Sequence, residues 1–366
     1  MGMGAAEAQS RSRARQEPIL EADLPIIDAH HHLWYQSQAV LGALNLNDDE
    51  LGPLTKNLSF HPRYLFDELM ADATCGHNVQ ATVYIEVHSM YRRTGPEHLR
   101  SVGEIEFANG VAAMAESGTF GAPRLCAAIV GGADLRRGTA VRETLEAQIA
   151  AGGKRYRGVR AAGIAYDERL PKLSGAIGSA PGTLADSSFR EGFAELALFG
   201  LSCDIFLFEP QITELEGFAR AFPGTQIILN HVGMPIGLGG LKGTLPERFP
   251  IWRDAIRAVA RHPNVAIKLG GLGNAMCGFD NAGRPQDMGS EELAACWRPY
   301  IETCIEAFGA ERAMFESNFP VDGVTADYPV IWNTFKRIVA GASAGEKAAL
   351  FSETARRIYR IEPHEA

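Results

Sequence analysis

Eight short runs of β-branched and aliphatic residues recur along the 366-residue chain, and amphipathic helical patterns fill most of the intervals between them. The runs lie at 24–32, 81–87, 124–130, 156–160, 202–208, 226–231, 264–269 and 312–318. The helical patterns lie at 103–116, 140–151, 188–198, 212–222, 249–261, 291–308 and 331–340. Strand followed by helix, repeated, implies parallel strands joined by crossovers, because a tight hairpin joins only antiparallel neighbours. Eight such units close into a (β/α)8 TIM barrel, whose active-site loops leave from the carboxyl ends of the strands. An open doubly wound sheet is the competing arrangement, but no GxGxxG follows the first run. Four long connections, at 34–62, 161–187, 232–247 and 270–290, fall on the active-site face and predict a covered pocket. With no internal repeat or linker, the expected organisation is a flexible arm at 1–22 and a single barrel domain at 23–362.

Charge narrows the partners. A net charge of -9, with no Lys/Arg-rich block beyond the first twenty residues, argues against nucleic acid and anionic membrane and for a small-molecule substrate. No run approaches the apolar length of a bilayer span, and the opening residues lack the apolar stretch of a secretory signal. Six cysteines without CxxC pairing fit a reducing, cytoplasmic compartment, although the Arg, Ser and Ala of the arm leave organelle targeting as an alternative. A homo-oligomer stays open.

The first run, LPIIDAHHH, carries the strongest chemical signal. Alternate residues of a strand share a face, which puts His30 and His32 on one side together with Asp28, and His31 on the other. Two imidazoles at i, i+2 can grip one metal ion. The other strand ends add a ring of polar groups: Glu86 and His88, Arg160, Glu209, His231, Lys268, then Glu316, Asn318 and Asp322. Buried charge is costly unless paired, coordinated or used, so such a ring marks an active site. His231 reads as a third ligand or a substrate-polarising group, with a core histidine held by a backbone bond as the alternative. Glu86 can ligate, accept a proton or pair with Arg92 or Arg93, and Glu209 is similar. Arg160 and Lys268 suit an anionic group or an oxyanion, or else internal salt bridges. Asp322 and Glu316 can act as bases, which Asn318 cannot. By alternation Glu316 and Asn318 share a face, expected to be the mouth. Trp34, His88 and Tyr91 follow strand ends and are candidate pocket residues, with core packing the default for the aromatics. His61, His77, His98, His262 and His364 read as structural or solvent-facing. GGLGNA at 270–275 lacks the ending of a phosphate loop.

DAHHHLW, LNHVGMP, IKLGGLG and MFESNFPVDG, in this order, together resemble motifs of the amidohydrolase superfamily, and within it the lactonase-like branch of 2-pyrone-4,6-dicarboxylate and sugar lactonases. The resemblance runs from about residue 25 to residue 359. It implies a (β/α)8 barrel and hydrolysis at a carbonyl, often with a divalent metal. On that resemblance His30, His32 and His231 are metal ligands; Glu86 or Glu209 is expected to complete the set. Asn318 falls where members carry a catalytic aspartate, Glu209 where a strand-five histidine is expected, and Arg160 where a bridging carboxylated lysine would stand. An asparagine cannot deprotonate water, so Asp322, Glu316 or Glu86 is expected to replace it, or the ligands to regroup around Glu86 and Glu209. Zinc is the expected metal, manganese or iron would also suit, and a metal-free variant stays open. The expected activity is hydrolysis of a cyclic or activated ester, foremost a lactone. The alternatives are a thioester or amide hydrolase, a non-oxidative decarboxylase, and a silent barrel that binds a small molecule.

Overall fold

The computed structural model describes residues 17–43, 46–161, 163–279 and 288–362. Eight parallel strands follow one another in a single sheet: β1 (Ile26–His31), β2 (Val79–Ile85), β3 (Arg124–Ala133), β4 (Tyr156–Ala161), β5 (Ser202–Ile205), β6 (Ile227–Leu229), β7 (Val265–Leu269) and β8 (Ala313–Phe315). Each expected run thus becomes a strand, in sequential order. The sheet closes where β1 meets the chain leaving β8, through Asn318 N–H to His30 O at 2.9 Å and His32 N–H to Phe319 O at 2.7 Å. The result is the (β/α)8 barrel, with its seam among the histidines.

Alternation divides the strands between two apolar layers. Ile27, Ala29, Val83, Ile85, Ile228, Ala266 and Met314 fill the barrel interior, where Ile358 and Tyr359 of the C-terminal segment join them. Ile26, Tyr84, Ile129, Val159, Cys203, Ile267 and Phe315 face outward against the helices in the larger core. The seven expected helices form, among them Val102–Glu116, Arg142–Gly152, Ser187–Leu198 and Ser290–Phe308. Local chemistry sets some of their ends: the Asp186 carboxylate accepts from Phe189 N–H at 2.8 Å and caps the helix at Ser187–Leu198. The helix expected from residue 249 begins earlier, at Leu245, because Pro246 stands in its first turn, where no N–H is needed.

Two of the long connections are not bare loops. Residues 34–62 hold helices at Gln38–Ala43 and Leu51–Phe60, and an antiparallel ribbon pairs Trp34–Tyr35 with Arg63–Tyr64. Residues 161–187 hold a helix at Pro171–Ala176. Of the connection at 270–290, residues 280–287 lie outside the described residues, as does His364. Residues 1–16 of the expected arm also lie outside, whereas from Glu17 onward the chain is tied down. Leu20 N–H donates to Asn333 Oδ1 at 2.9 Å, and Lys336 Nζ donates to the carbonyls of Leu20 and Glu21 at 2.8 and 2.9 Å. All six cysteines are free. No helix among the described residues is long and apolar enough to cross a membrane.

Candidate metal centre and active-site cavity

The centre begins with an irregularity in β1. Asp28 pairs with Thr82 and His31 with Tyr84, so β1 spends one residue more than β2 over this interval. An extra residue in one strand breaks the alternation. Asp28 therefore does not share a face with His30 and His32, as strict alternation implied. It turns outward, where Ser317 N–H and Oγ donate to it at 2.9 and 2.6 Å and the Tyr328 hydroxyl at 3.1 Å. Burial still raises its pKa to about 6. His31 faces the same outer layer, against Thr82 Oγ1 at 2.8 Å.

His30 and His32 turn inward, their Nε2 atoms 3.1 Å apart. His231 joins them, its ring centroid 4.7 Å from that of His30. Neighbouring acceptors fix two tautomers. His32 Nδ1 lies 2.8 Å from the Ile85 carbonyl and His231 Nδ1 lies 2.7 Å from Glu316 Oε1, so both Nδ1 atoms carry the proton and both Nε2 atoms keep a lone pair. Burial, reinforced by Lys268 and the other imidazoles, holds His30 well below its ordinary pKa. Burial and Arg160 do the same to His32. Neutral rings are what a cation requires.

Glu316 supplies the test of fit. His30 Nδ1 sits between Glu316 Oε2 at 3.0 Å and Lys268 Nζ at 3.2 Å, yet Glu316 Oε2 is a buried oxygen without a hydrogen bond. With Lys268 donating to Nδ1, the His30 proton lies on Nε2, directed at His32. A cation among the Nε2 atoms would move that proton to Nδ1, where the orphaned oxygen accepts it. Two nitrogens each about 2.0–2.1 Å from one zinc ion can stand 3.1 Å apart. The residues fit a divalent metal, with Glu316 orienting His30 and His231 from behind. Atoms of His30, His231 and Glu316 lie within 4.8 Å of one another, so the carboxylate also stands near enough to serve as a ligand.

Above the cluster opens a cavity of about 580 Å³. His32, His231 and Asn318 line its floor and Glu86, His88 and Arg160 one side, with Trp34 beside His32, the two rings stacked at 6.3 Å. Glu86 does not pair with Arg92, which bonds Glu106 instead. Arg160 donates to Glu86 through Nε at 2.7 Å and through Nη2 to the Glu86 carbonyl, while His88 Nδ1 lies 3.2 Å from Glu86 Oε2. Burial pushes the Glu86 carboxyl up, but Arg160 and His88 outweigh it and hold the pKa below its ordinary value.

Other expected residues stand elsewhere. Glu209 does not reach the cluster, because Arg248 binds its carboxylate and Ile236 N–H donates to it at 3.3 Å. Lys268 is no cavity-wall anchor: it lies wholly buried in the barrel, 2.6 Å from Asp204. Asp322 does not line the cavity. Asn318 Nδ2 and Gly273 N–H donate to its two oxygens at 2.7 and 2.9 Å, and burial raises its pKa well above the ordinary carboxylate range. Glu316 and Asn318 share the inner face, but only Asn318 reaches the cavity, with Oδ1 buried and unbonded. Tyr91 lines an adjoining pocket beside His88.

Sequence reading passed over one residue, and weighed a pair of glycines only as part of a phosphate loop. Asp204, hidden in an apolar strand, joins Lys268 to Asn230 Nδ2 at 2.9 Å and to the Tyr359 hydroxyl at 3.0 Å. Gly270 and Gly271 are that pair: a Cβ at 270 would stand 2.4 Å from Glu316 Cγ, and one at 271 would stand 2.4 Å from the His231 ring. The pair of glycines after an apolar strand was the available signal.

A parallel barrel with imidazoles clustered at the carboxyl ends of its strands, under an open cavity, defines a class of barrel enzymes with a metal-ready site. The chain belongs to the amidohydrolase family, whose model, described as amidohydrolase, matches residues 27–361. It is 33% identical to an uncharacterized protein of Sinorhizobium fredii over 93% of this chain and 100% of that one. It is 29% identical to L-fucono-1,5-lactonase of Burkholderia multivorans, over 50% of this chain and 59% of that protein. Among solved structures, an amidohydrolase from Burkholderia multivorans with bound zinc superposes with a TM-score of 0.68. That match has 23% identity and covers 92% of this chain and 99% of the other.

Proposed function

We propose that this barrel hydrolyses a cyclic ester, a lactone, at a single divalent metal held by His30, His32 and His231. The observation that carries the reading is the facing pair of Nε2 atoms, with an orphaned carboxylate oxygen behind them and a cavity in front. The partial likeness to a lactonase supports the choice of bond. Bound there, the metal would polarise the carbonyl and acidify a water.

The chain's own residues supply the rest. Water oxygen bonds to the carbonyl carbon, the ring C–O bond breaks, and the departing oxygen takes up a proton to give a hydroxy acid. His88 is the cavity-lining group that accepts the water proton and returns it to the departing oxygen. Its Nδ1 is oriented by Glu86, which Arg160 holds in turn. Such a base, positioned by a carboxylate, contributes about 10²–10⁴-fold. Arg160 Nη1 has no partner among the described residues and is free to meet a carbonyl or carboxylate oxygen. Asn318 Oδ1 accepts a hydrogen bond from the attacking water without taking its proton.

The test is a lactone panel followed in a pH-stat with the zinc-loaded protein, with dissolved carbon dioxide measured in parallel on aromatic carboxylic acids. Acid release that disappears on chelation and returns with zinc supports the reading. Carbon dioxide release without lactone opening would replace it with a decarboxylase.

A further inference from the structure

The cavity wall narrows the substrate. Leu54 and Leu58, four residues apart on one face of the helix at Leu51–Phe60, form one side. Ile164 and Ile177, from the connection after β4, also line it, with Phe206 and Met276. The two asparagines among them are already committed, which leaves Ser179 as the polar side chain on this wall. Asn57 Nδ2 donates to Asn274 Oδ1 at 2.7 Å, Asn57 Oδ1 accepts from Ala275 N–H at 3.1 Å, and Asn274 Oδ1 also accepts from Met276 N–H at 2.9 Å. Glu86 is held by Arg160 and lies against His88, which leaves Arg160 Nη1 for one polar group of the substrate. A ring bearing several hydroxyls would bury groups that find no partner along Leu54, Leu58, Ile164 and Ile177, and unpaired buried hydroxyls oppose binding.

The two connections are also clasped together. Glu50 Oε2 accepts from Lys172 N–H at 2.9 Å and Leu173 N–H at 3.2 Å, and Lys172 Nζ lies 2.6 Å from Asp48. The helices at Leu51–Phe60 and Pro171–Ala176 are thereby held beside each other.

We infer that the substrate is a lactone carrying an alkyl or aryl substituent, which seats against this apolar wall while the ring carbonyl faces the imidazoles and a single polar handle meets Arg160. The inference rests on the hydrolase reading and specifies its substrate. Leu58 and Ile177 determine that preference.

The test compares two lactones of the same ring size on the zinc-loaded enzyme, one bearing a pentyl or phenyl group and one bearing hydroxyls. The expected result is a kcat/KM at least about tenfold higher for the apolar lactone, the scale of one well-buried methylene or more. Leu58→Ser and Ile177→Ser should each narrow the ratio, chiefly by raising KM for the apolar lactone. A higher kcat/KM for the hydroxylated lactone, or a ratio unmoved by both substitutions, overturns the inference. Calorimetry with the two corresponding hydroxy acids separates the two readings. If neither lactone opens but the apolar hydroxy acid binds more tightly and loses that advantage in Leu58→Ser, the hydrolase reading falls while the wall's preference stands. Equal binding of both acids overturns the preference.

Discussion

Glu316 shows how one carboxylate can hold two imidazoles without entering the cavity. One oxygen fixes the tautomer of His231 and the other waits 3.0 Å from His30 Nδ1. Glu316→Gln should weaken zinc affinity about 10–100-fold, the usual effect of losing a partner behind a ligand, as measured by competition with a chromophoric chelator. His30→Ala should leave the purified protein without stoichiometric metal by elemental analysis. Full metal content and turnover in that variant would sink the assignment of the centre. His88→Ala should retain its metal and lose about 10²-fold or more in kcat; loss of metal as well would remove His88 from the role of base. At this scale the sequence was legible where chemistry and periodicity agreed. The pair His30 and His32 could be read from their spacing, but the face of Asp28 could not, because a one-residue irregularity leaves no compositional trace. Lys268 does lie near the end of β7, where the internal salt bridge is the one of its two readings that the structure shows, whereas Glu209 stands past the end of β5 in a short turn and pairs with Arg248. Spacing reports direction along a strand, and neither depth nor neighbour. Asp204 was overlooked because a lone carboxylate in CDIFLF resembles a strand interruption until Lys268 is seen beside it.

Among the elements, the turn after β7 matters most to the centre. Gly271 has φ +71 and lies under the His231 ring. Gly271→Ala should cost about 1–3 kcal/mol of stability from backbone strain alone, and should also displace His231, so zinc content and thermal midpoint are expected to fall together. A variant of normal metal content would show that His231 is held by Glu316 and not by the turn. Most of the strands were recognisable as short apolar runs set off by helical periodicity, while β4, which carries Arg157 and Arg160, was legible chiefly from its place between two helical segments. The helices at Leu51–Phe60 and Pro171–Ala176 were missed inside supposed loops. They are short and carry Gly, Pro or Ser, so their periodicity barely rises above that of a turn-rich segment.

At the level of the molecule, the beginning and end of the described chain are joined through Lys336, which binds the carbonyls of Leu20 and Glu21 and lies 2.8 Å from His77 Nδ1. Burial, and then Lys336, depress the His77 pKa to about 4. The unfolded chain takes up a proton near pH 6.5 that the folded one refuses until about pH 4, so this contribution is present above pH 6.5 and lost as pH falls toward 4. Allowing for partial solvent access, the loss amounts to about 2 kcal/mol. Urea midpoints at pH 7 and pH 4.5 should differ less in His77→Gln than in the parent, and an unchanged difference would assign the acid sensitivity to other groups. Deeper in the barrel, Lys268→Met would leave Asp204 buried without its cation and should cost about 3–5 kcal/mol, read from the same denaturation curves.

The Tyr359 hydroxyl, which completes the group around Asp204 from the C-terminal segment, bears on how the protein is made. The lysine and aspartate are laid down long before the residue that seals them. A nascent chain released from the ribosome short of Tyr359 would carry an ion pair open to water from the bottom of the barrel, directly beneath the histidines. Truncation before Tyr359 should therefore yield a product that assembles its strands and holds a metal ion less firmly than the parent does.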